Sequence, residues 1–253
     1  RAYWKWAYGT AARGSVALTC VSDFTRKDLV HRLGWDAARI SVVPSGVDPA
    51  FSPAVSAGEL DERRWRAGVP RPYVLFVGTL QPRKGVDTLF ETFALLRRRH
   101  ADLHLVLAGA RGWGYPAPQE MARQSGVEGA VLHVTGASLA EIADLYRGAR
   151  LLLCPSRYEG FGLPPLEAMA CGTPAVVTDT SSLPEVCGDA ALYAPVGRAD
   201  LLAEQAERIL SDPALARRLT GKGLQRAAGF SWPRAAEKML AVYRRLLAGA
   251  GPA

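Results

Sequence analysis

The chain has 253 residues, of which 49% are hydrophobic and 22% are charged, and its formal net charge is +7. This composition is typical of a globular protein with a sizeable core, and the basic excess suits an anionic ligand, nucleic acid or an anionic membrane face. Four cysteines are too few for disulfide bonds to hold together a chain of this length. No apolar run approaches the ~18 residues of a membrane span. We therefore exclude a disulfide scaffold and a membrane-spanning protein, and expect a cytoplasmic one.

The first seventy residues predict a small unit of their own. The opening stretch RAYWKWAYGTAARG favours a packed amphipathic helix over a segment lying on a membrane. SVALTCVSDFTRKDLVHRLGW predicts a strand, a turn and a helix capped by Ser22 or Asp23, and ISVVPSGVD predicts a second strand. Such a piece is a poor independent domain, so residues 1–50 are expected to be the end of a larger one. Residues 51–72 are polar, with Gly and Pro, and predict a linker.

From residue 73 onward, short apolar runs alternate with helical patterns. The runs that predict strands are YVLFVG (73–78), LHLVLAG (103–109), AVLHVTG (130–136), RLLLCP (150–155), AVVT (175–178) and ALYA (191–194). Helical spacing follows in KGVDTLFETFALLRRRH, SLAEIADLYRGA and PPLEAMACG. Strands that are apolar throughout and alternate with helices indicate a parallel sheet covered on both faces. We therefore predict an α/β, Rossmann-like fold over residues 73–229.

The loop VGTLQPRKGVD follows the first strand of this sheet, and open parallel sheets bind ligands at the carboxyl ends of their strands. Gly78 permits close backbone approach, and Arg83 and Lys84 place two cations at the start of a helix. Cations there oppose the helix macrodipole unless an anion is also present. The loop therefore predicts a phosphate site, with an exposed basic turn as the alternative.

A second loop, EGFGLPPLE, predicts another anion site. Gly160 and Gly162 permit a tight turn, and we expect the amides of Phe161, Gly162 and Leu163 to point at one spot. The two prolines that follow suit the first turn of a helix, where their missing N–H groups have no partner to lose.

Glu159 and Glu167 stand at the two ends of this loop. Glu167 is expected on the first turn of the helix, where its carboxylate can accept hydrogen bonds from paired hydroxyls such as those of a ribose. Glu159 is expected to face the group on the other side of the phosphate. Either glutamate alone is more simply a surface carboxylate, but together they predict one elongated, polyhydroxylated and phosphorylated ligand.

The stretch EGFGLPPLEAMACGTPAVVT resembles the E-x7-E signature of the retaining, nucleotide-sugar-dependent glycosyltransferases of family 4, also called glycosyl transferases group 1. Their architecture is GT-B, with two Rossmann-like domains. The resemblance extends to VGTLQPRKGVDTL, to VLHVTGASLAEIADLYRGARLLLCPSRYEGFGLPPLEAMACGTPAV, and to LTCVSDFTRKDL with ISVVPSGVD. It implies that residues 73–229 are the C-terminal, nucleotide-sugar-binding half of a retaining hexosyltransferase.

The resemblance also implies site roles. Glu159 is the catalytic candidate, contacting the donor sugar and stabilising oxocarbenium character, while Glu167 holds the ribose and Lys84 neutralises the diphosphate. Arg83 replaces an arginine that many relatives carry where this chain has Thr79. The donor-binding candidates are Gly78, Thr79, Arg83, Lys84, Val134, Thr135, Gly160, Phe161, Gly162, Leu163 and Glu167, with Val134 and Thr135 at the base. No metal or other cofactor is expected, because basic side chains and helix N-termini stabilise the leaving group.

The family pattern implies partners as well. A whole N-terminal domain binds the acceptor, so residues 1–50 resemble a remnant of it, and residues 230–253 resemble the final helix that crosses back to it. Without that domain we expect poor activity, and self-association through the uncovered Trp232, Met239, Leu240, Tyr243 and Leu246. The acceptor is expected to be a glycan or lipid-linked, with the enzyme peripheral at the inner membrane face. The GT-x-x-PRKG loop resembles polysaccharide and lipopolysaccharide mannosyl- or rhamnosyltransferases, which favours a GDP-linked donor over UDP or ADP.

Two other functions fit the same residues. A non-catalytic nucleotide-sugar-binding module would bind the donor without transfer, and a nucleotide-sugar epimerase shares the architecture. The complete E-x7-E with its interposed GFG favours transfer over both. No recognition motif and no interleaving of aromatic and basic residues supports nucleic-acid binding.

Overall fold

The computed structural model describes residues 9, 10, 14–53, 56, 58–60, 62 and 68–249. The chain forms two compact units, Arg1–Gly46 with Phe230–Ala253 and Val47–Gly229. The four-part division predicted from the sequence stays a prediction. Most of the opening aromatic stretch and much of the predicted linker lie outside the described residues.

The smaller unit contains two parallel strands, β1 (Leu18–Cys20) and β2 (Ile40–Val42), joined by helix α1 (Asp23–Leu33). Helix α1 begins as predicted, because the Ser22 side chain accepts a hydrogen bond from the Thr25 backbone N–H at 3.0 Å. The final helix, α9 (Trp232–Gly249), also belongs to this unit. Within the described residues, no helix combines the length and the apolar character that crossing a membrane requires.

Helix α9 is amphipathic but only partly covered. Ala235 and Val242 are buried on one side, whereas Trp232, Leu240 and Tyr243 remain about half exposed. Self-association through this face stays a prediction.

The larger unit is an α/β fold. Its strands are β3 (Tyr73–Val77), β4 (His104–Ala108), β5 (Val131–Val134), β6 (Leu151–Cys154), β7 (Ala175–Thr178) and β8 (Ala191–Ala194). Its helices are α2 (Val86–Arg97), α3 (Pro118–Gln124), α4 (Leu139–Gly148), α5 (Leu163–Ala170), α6 (Leu183–Cys187), α7 (Ala199–Ser211) and α8 (Pro213–Ala227). All six predicted strands are confirmed. β7 and β8 have the predicted bounds, and the ends of the other four strands lie no more than two residues inside theirs.

These six strands form one parallel sheet in the order β5-β4-β3-β6-β7-β8. The chain first builds outward from β3 through β4 to β5, then returns to the other side of β3 and builds through β6 and β7 to β8. Because right-handed crossovers in opposite directions place helices on opposite faces, both faces are covered. The direction reverses between β3 and β6, so their carboxyl ends form the topological switch point at which such sheets bind ligands.

The sheet interior explains why its strands are apolar throughout. Residues of the central strands are almost completely inaccessible to solvent, including Val74, Leu75, Leu105, Val106, Leu107, Leu151, Leu152, Leu153 and Val176. A strand buried on both faces has no solvent side on which polar residues could alternate. The predicted Rossmann-like fold class is confirmed, and the packed sheet holds the loops at its carboxyl edge in place.

Candidate functional site

Two predicted loops meet at the switch point. After β3 the chain makes a single 3-10 turn, Pro82–Lys84, before α2 begins. After β6 it runs through Pro155 to Glu159 and then into the glycine turn before α5. Because β3 and β6 are neighbours in the sheet, residues about 75 positions apart in the chain come into contact.

Glu159 is the centre of this contact. Lys84 Nζ donates to Glu159 Oε1 at 2.6 Å, and Ser156 Oγ donates to the same oxygen at 2.7 Å. Arg83 Nη1 donates to Oε2 at 3.1 Å. The side chains of Lys84 and Glu159 are only 8% and 7% exposed, whereas that of Arg83 is 46% exposed. The site is therefore a buried ion pair with a second cation at its solvent-facing side.

The turn after Lys84 requires a glycine. Gly85 has φ +65°, and a Cβ at this position would lie 2.1 Å from the Pro155 carbonyl oxygen. The left-handed conformation and this close approach between the two loops are both open only to glycine. Gly85 thus lets Lys84 reach Glu159, although it was not among the predicted site residues.

The anion that faces the two cations in this structure is the Glu159 carboxylate. The sequence predicted that Arg83 and Lys84 need an anion nearby, and a phosphate was the expected one. The carboxylate accepts from two cations and a hydroxyl, so its hydrogen-bonding capacity is well used.

A third loop, after β7, supports the glutamate loop. The Glu159 N–H donates to Ser181 Oγ at 2.9 Å. The single hydroxyl proton of Ser182 is shared between the carbonyl oxygens of Glu159 and Phe161, which lie 2.9 and 2.7 Å from its Oγ. Ser182 is completely buried, and Ser181 adopts φ +54°, an unusual conformation for a residue other than glycine. Backbone strain of this kind concentrates at functional sites, where neighbouring contacts hold it.

Ser182→Ala is expected to lower the free energy of unfolding by about 1–3 kcal/mol, because two buried carbonyl oxygens lose their donor. Urea denaturation measures this loss. Ser211→Ala is the matched control, since Ser211 Oγ also donates to a backbone carbonyl, that of Glu207, but on an exposed surface. Equal losses for the two variants would contradict a supporting role for Ser182.

Glu167 lies on helix α5, which follows the glycine turn after Glu159. Helix α5 begins at Leu163 after Gly162, whose φ is +108°, so Glu167 is in the second turn and the prediction of the first turn was wrong. The difference arises because both prolines and Leu163 already belong to the helix. The Tyr146 hydroxyl donates to Glu167 Oε2 at 2.9 Å. Burial raises the pKa of the Glu167 carboxyl, and the bond from Tyr146 and the charge of Lys84 oppose that rise.

The remaining predicted residues lie along the same edge. Gly78, with φ +145°, follows β3, and a Cβ on Gly109, which follows β4, would lie 2.4 Å from the Gly78 carbonyl oxygen. Thr79 and Thr135 are exposed, and Val134 is the last residue of β5. The structure therefore brings Arg83, Lys84 and Glu159 into direct contact, and places Val134 and Thr135 two strands from β3.

Several residues of this site were missed by sequence reasoning, namely Gly85, Gly109, Tyr146, Ser156, Ser181 and Ser182. Most of them follow the ends of β3, β4, β6 and β7. The rule that open parallel sheets bind ligands at the carboxyl ends of their strands therefore applied to these loops as well. Tyr146 gave no such signal, because it fits the apolar face of its helix.

Within the described ranges, no group of three or more His, Cys, Asp or Glu side chains is placed to hold a metal ion. Independence of metals stays a prediction.

Comparisons with known proteins converge on one family. The sequence profile of Glycosyl transferases group 1 matches residues 59–226, and that of Glycosyltransferase Family 4 matches residues 1–51. The chain is 32% identical over 230 residues to the O-antigen chain mannosyltransferase B of Escherichia coli, covering 89% of this chain and 60% of that protein. It is 36% identical over 249 residues to the D-inositol 3-phosphate glycosyltransferase of Kineococcus radiotolerans, covering 90% and 57%.

Among solved structures, Anabaena Alr3699/HepE in complex with UDP-glucose superposes with a TM-score of 0.80 at 19% identity, covering 94% of this chain and 65% of that one. This likeness concerns the fold. The chain spans less than two thirds of the length of each of these three proteins.

Proposed function

The chain belongs to the family of glycosyl transferases group 1, and on that premise we propose that it carries the donor site of a retaining hexosyltransferase. The enzyme transfers a sugar from a nucleoside diphosphate sugar to a glycan or a lipid-linked acceptor. The observation that carries this proposal is the buried Lys84–Glu159 pair at the switch point of the sheet, directly beside the N-terminus of α5.

The chemistry of each group matches one part of the donor. Lys84 and Arg83 neutralise the diphosphate, assisted by the backbone N–H groups of Gly162 and Leu163 at the start of α5, since Pro164 and Pro165 have no N–H to donate. Glu167 accepts the ribose hydroxyls. Glu159, beyond the phosphate, contacts the sugar hydroxyls and stabilises positive charge as the anomeric centre loses its leaving group.

The transfer step balances without a protein nucleophile. The bond between the anomeric carbon and the diphosphate oxygen breaks, and a bond to the acceptor oxygen forms on the same face of the sugar. The acceptor hydroxyl gives its proton to the departing phosphate oxygen. Lys84 and Arg83 take up the leaving group's charge, so the proposal needs no metal ion.

Two resemblances bear on the base and the sugar of the donor, and they point to different bases. The similarity to an O-antigen mannosyltransferase supports a GDP-linked donor, as the form of the first loop does. The UDP-glucose complex of a structural neighbour supports nucleotide-sugar binding in this fold with another base. The binding test therefore compares bases directly. An acceptor at the inner membrane face fits the net charge of +7.

Calorimetric titration of this chain with UDP, GDP and ADP, first in EDTA and then with Mg²⁺, tests the proposal. We expect one diphosphate to bind in EDTA, with little change on adding Mg²⁺, and its sugar conjugates to bind as well. Failure of all three to bind under both conditions would overturn the proposed donor site. Binding of donor with no transfer to any acceptor by the full-length enzyme would favour a binding module instead.

The two glutamates are expected to respond differently. Glu167→Gln should weaken binding of the nucleoside diphosphate by about 1–3 kcal/mol, because a neutral amide accepts ribose hydroxyls poorly. Glu159→Gln should spare the diphosphate and weaken only the sugar-bearing donor. Titration of both ligands with both variants measures this, and equal losses everywhere would contradict the division of roles.

A further inference from the structure

Tyr146 lies on α4, directly behind Glu167. Its side chain is completely buried, yet its hydroxyl donates to Glu167 Oε2 at 2.9 Å. A buried tyrosine hydroxyl needs a partner, but a backbone carbonyl would serve, as it does for the equally buried Tyr73, which donates to the Leu145 carbonyl at 2.7 Å. Tyr146 donates instead to a carboxylate of the candidate site.

The ring of Tyr146 is held on several sides. Phe51 packs edge-on against it, with ring centroids 5.7 Å apart and an interplanar angle of 80°. Thr173 Oγ1 donates to the Tyr146 backbone carbonyl at 2.5 Å. Because both the ring and the backbone are fixed, the hydroxyl cannot follow Glu167 if the carboxylate rotates. The bond therefore defines the orientation of the carboxylate.

We infer that Tyr146 is a positioning residue, which holds Oε2 of Glu167 so that Oε1 is presented to the ribose hydroxyls of the donor. This inference rests on the proposed role of Glu167. A carboxylate with one oxygen fixed loses less rotational freedom on binding, and a donor on Oε2 also favours the charged form that accepts hydroxyls well.

Burial and three neighbouring groups influence the charge of Glu167. Tyr146 and Lys84 favour the carboxylate, whereas burial and the nearby Asp48 favour the protonated form. Cys171, which directly follows α5, has a pKa raised to about 12 by burial, so it stays neutral below pH 9. Tyr146 and Lys84 are the two groups that lower the pKa of Glu167. Loss of the Tyr146 hydroxyl removes one of them, so this pKa rises further. Because the ribose binds the ionised form, nucleotide affinity falls as pH decreases through this pKa, and in the variant the fall begins at a higher pH.

Tyr146→Phe tests the inference, since phenylalanine fills the same space without the hydroxyl. The probes are the tightest binder among UDP, GDP and ADP, and its 2′,3′-dideoxy counterpart, which lacks the hydroxyls that Glu167 would accept. We expect the variant to bind the ribonucleotide about tenfold more weakly and the dideoxy compound with less than about a twofold change. The selectivity for ribose therefore falls about tenfold.

Tyr73→Phe is the matched control, because it removes another fully buried tyrosine hydroxyl bonded to a carbonyl rather than to Glu167. It should leave ribose selectivity unchanged. Carbon-13 NMR of the Glu167 carboxyl in the ligand-free protein gives an independent readout, in which Tyr146→Phe raises the pKa of Glu167 and Tyr73→Phe leaves it unchanged.

The outcomes separate the inference from the proposed function. Equal weakening of the ribonucleotide and the dideoxy compound, or an unchanged Glu167 pKa, would overturn the positioning role while leaving nucleotide binding intact. If the unaltered chain binds no diphosphate, the proposed function is overturned, and so is the contact between Glu167 and the ribose. In that case the NMR titration still decides whether Tyr146 controls the charge of Glu167.

Discussion

Lys84→Met is expected to lower the free energy of unfolding by about 3–5 kcal/mol, because it leaves a buried carboxylate without its main partner. Glu159 is 7% exposed and accepts from Lys84 at 2.6 Å, so water cannot replace the ammonium group. Methionine keeps most of the length and volume of the lysine stem, so the loss reports the charge rather than a cavity. Ser156 and the half-exposed Arg83 compensate only in part.

The double variant Lys84→Met with Glu159→Gln separates the ion pair from the rest of the packing. Removing both charges together should recover most of the lost stability, since a buried pair costs desolvation as well as gaining attraction. Urea denaturation of the two single variants and the double variant gives the coupling between the two residues. We expect the single variants to be strongly non-additive.

Lys222→Met is the matched control. Lys222 also pairs with a carboxylate, Asp189, at 2.7 Å, but the two side chains are 49% and 82% exposed. An exposed pair of this kind contributes little to stability, because solvent screens it. If Lys84→Met cost no more than Lys222→Met, the pair at the switch point would not be the buried element described here. Lys84→Met should also weaken diphosphate binding, whereas Lys222→Met should not.

The sequence predicted the strands well because a strand that is buried on both faces is apolar along its whole length. Runs such as AVVT and ALYA coincide with β7 and β8, and the glycines, prolines and glutamates of EGFGLPPLE identified the loop at the centre of the site. The contact between Lys84 and Glu159 was not predictable in the same way. It depends on β3 lying beside β6, and strand order is a property of the whole sheet rather than of either segment.

The missed supporting residues have physical reasons of their own. Tyr146 fits the apolar pattern of α4, and its hydroxyl acts only once α5 packs against it. Ser182 contributes through backbone carbonyls of another loop, so no spacing within its own segment indicates it. Glu167 was assigned to the first turn of α5 because the exact start of the helix depends on the left-handed φ of Gly162, which is a backbone property.

Gly85→Ala is the second large effect that we expect, a loss of about 2–5 kcal/mol in the free energy of unfolding. Two costs contribute. An alanine at φ +65° costs about 1–2 kcal/mol, and a Cβ placed 2.1 Å from the Pro155 carbonyl oxygen forces the two loops apart, at about 1–3 kcal/mol. The contacting atom belongs to the backbone, so no side-chain rotation relieves it.

Gly126→Ala divides these two costs, because Gly126 has φ +67° but a Cβ there would meet nothing within 4 Å. It should therefore cost only the conformational part, about 1–2 kcal/mol. The additional free energy of unfolding lost by Gly85→Ala measures the cost of disturbing the close contact between the loop after β3 and the loop after β6. That excess should be accompanied by weaker diphosphate binding, since Lys84 directly precedes Gly85 and moves with it. Equal losses of stability, with diphosphate affinity unchanged, would mean that the close approach of the loops does not hold Lys84 against Glu159.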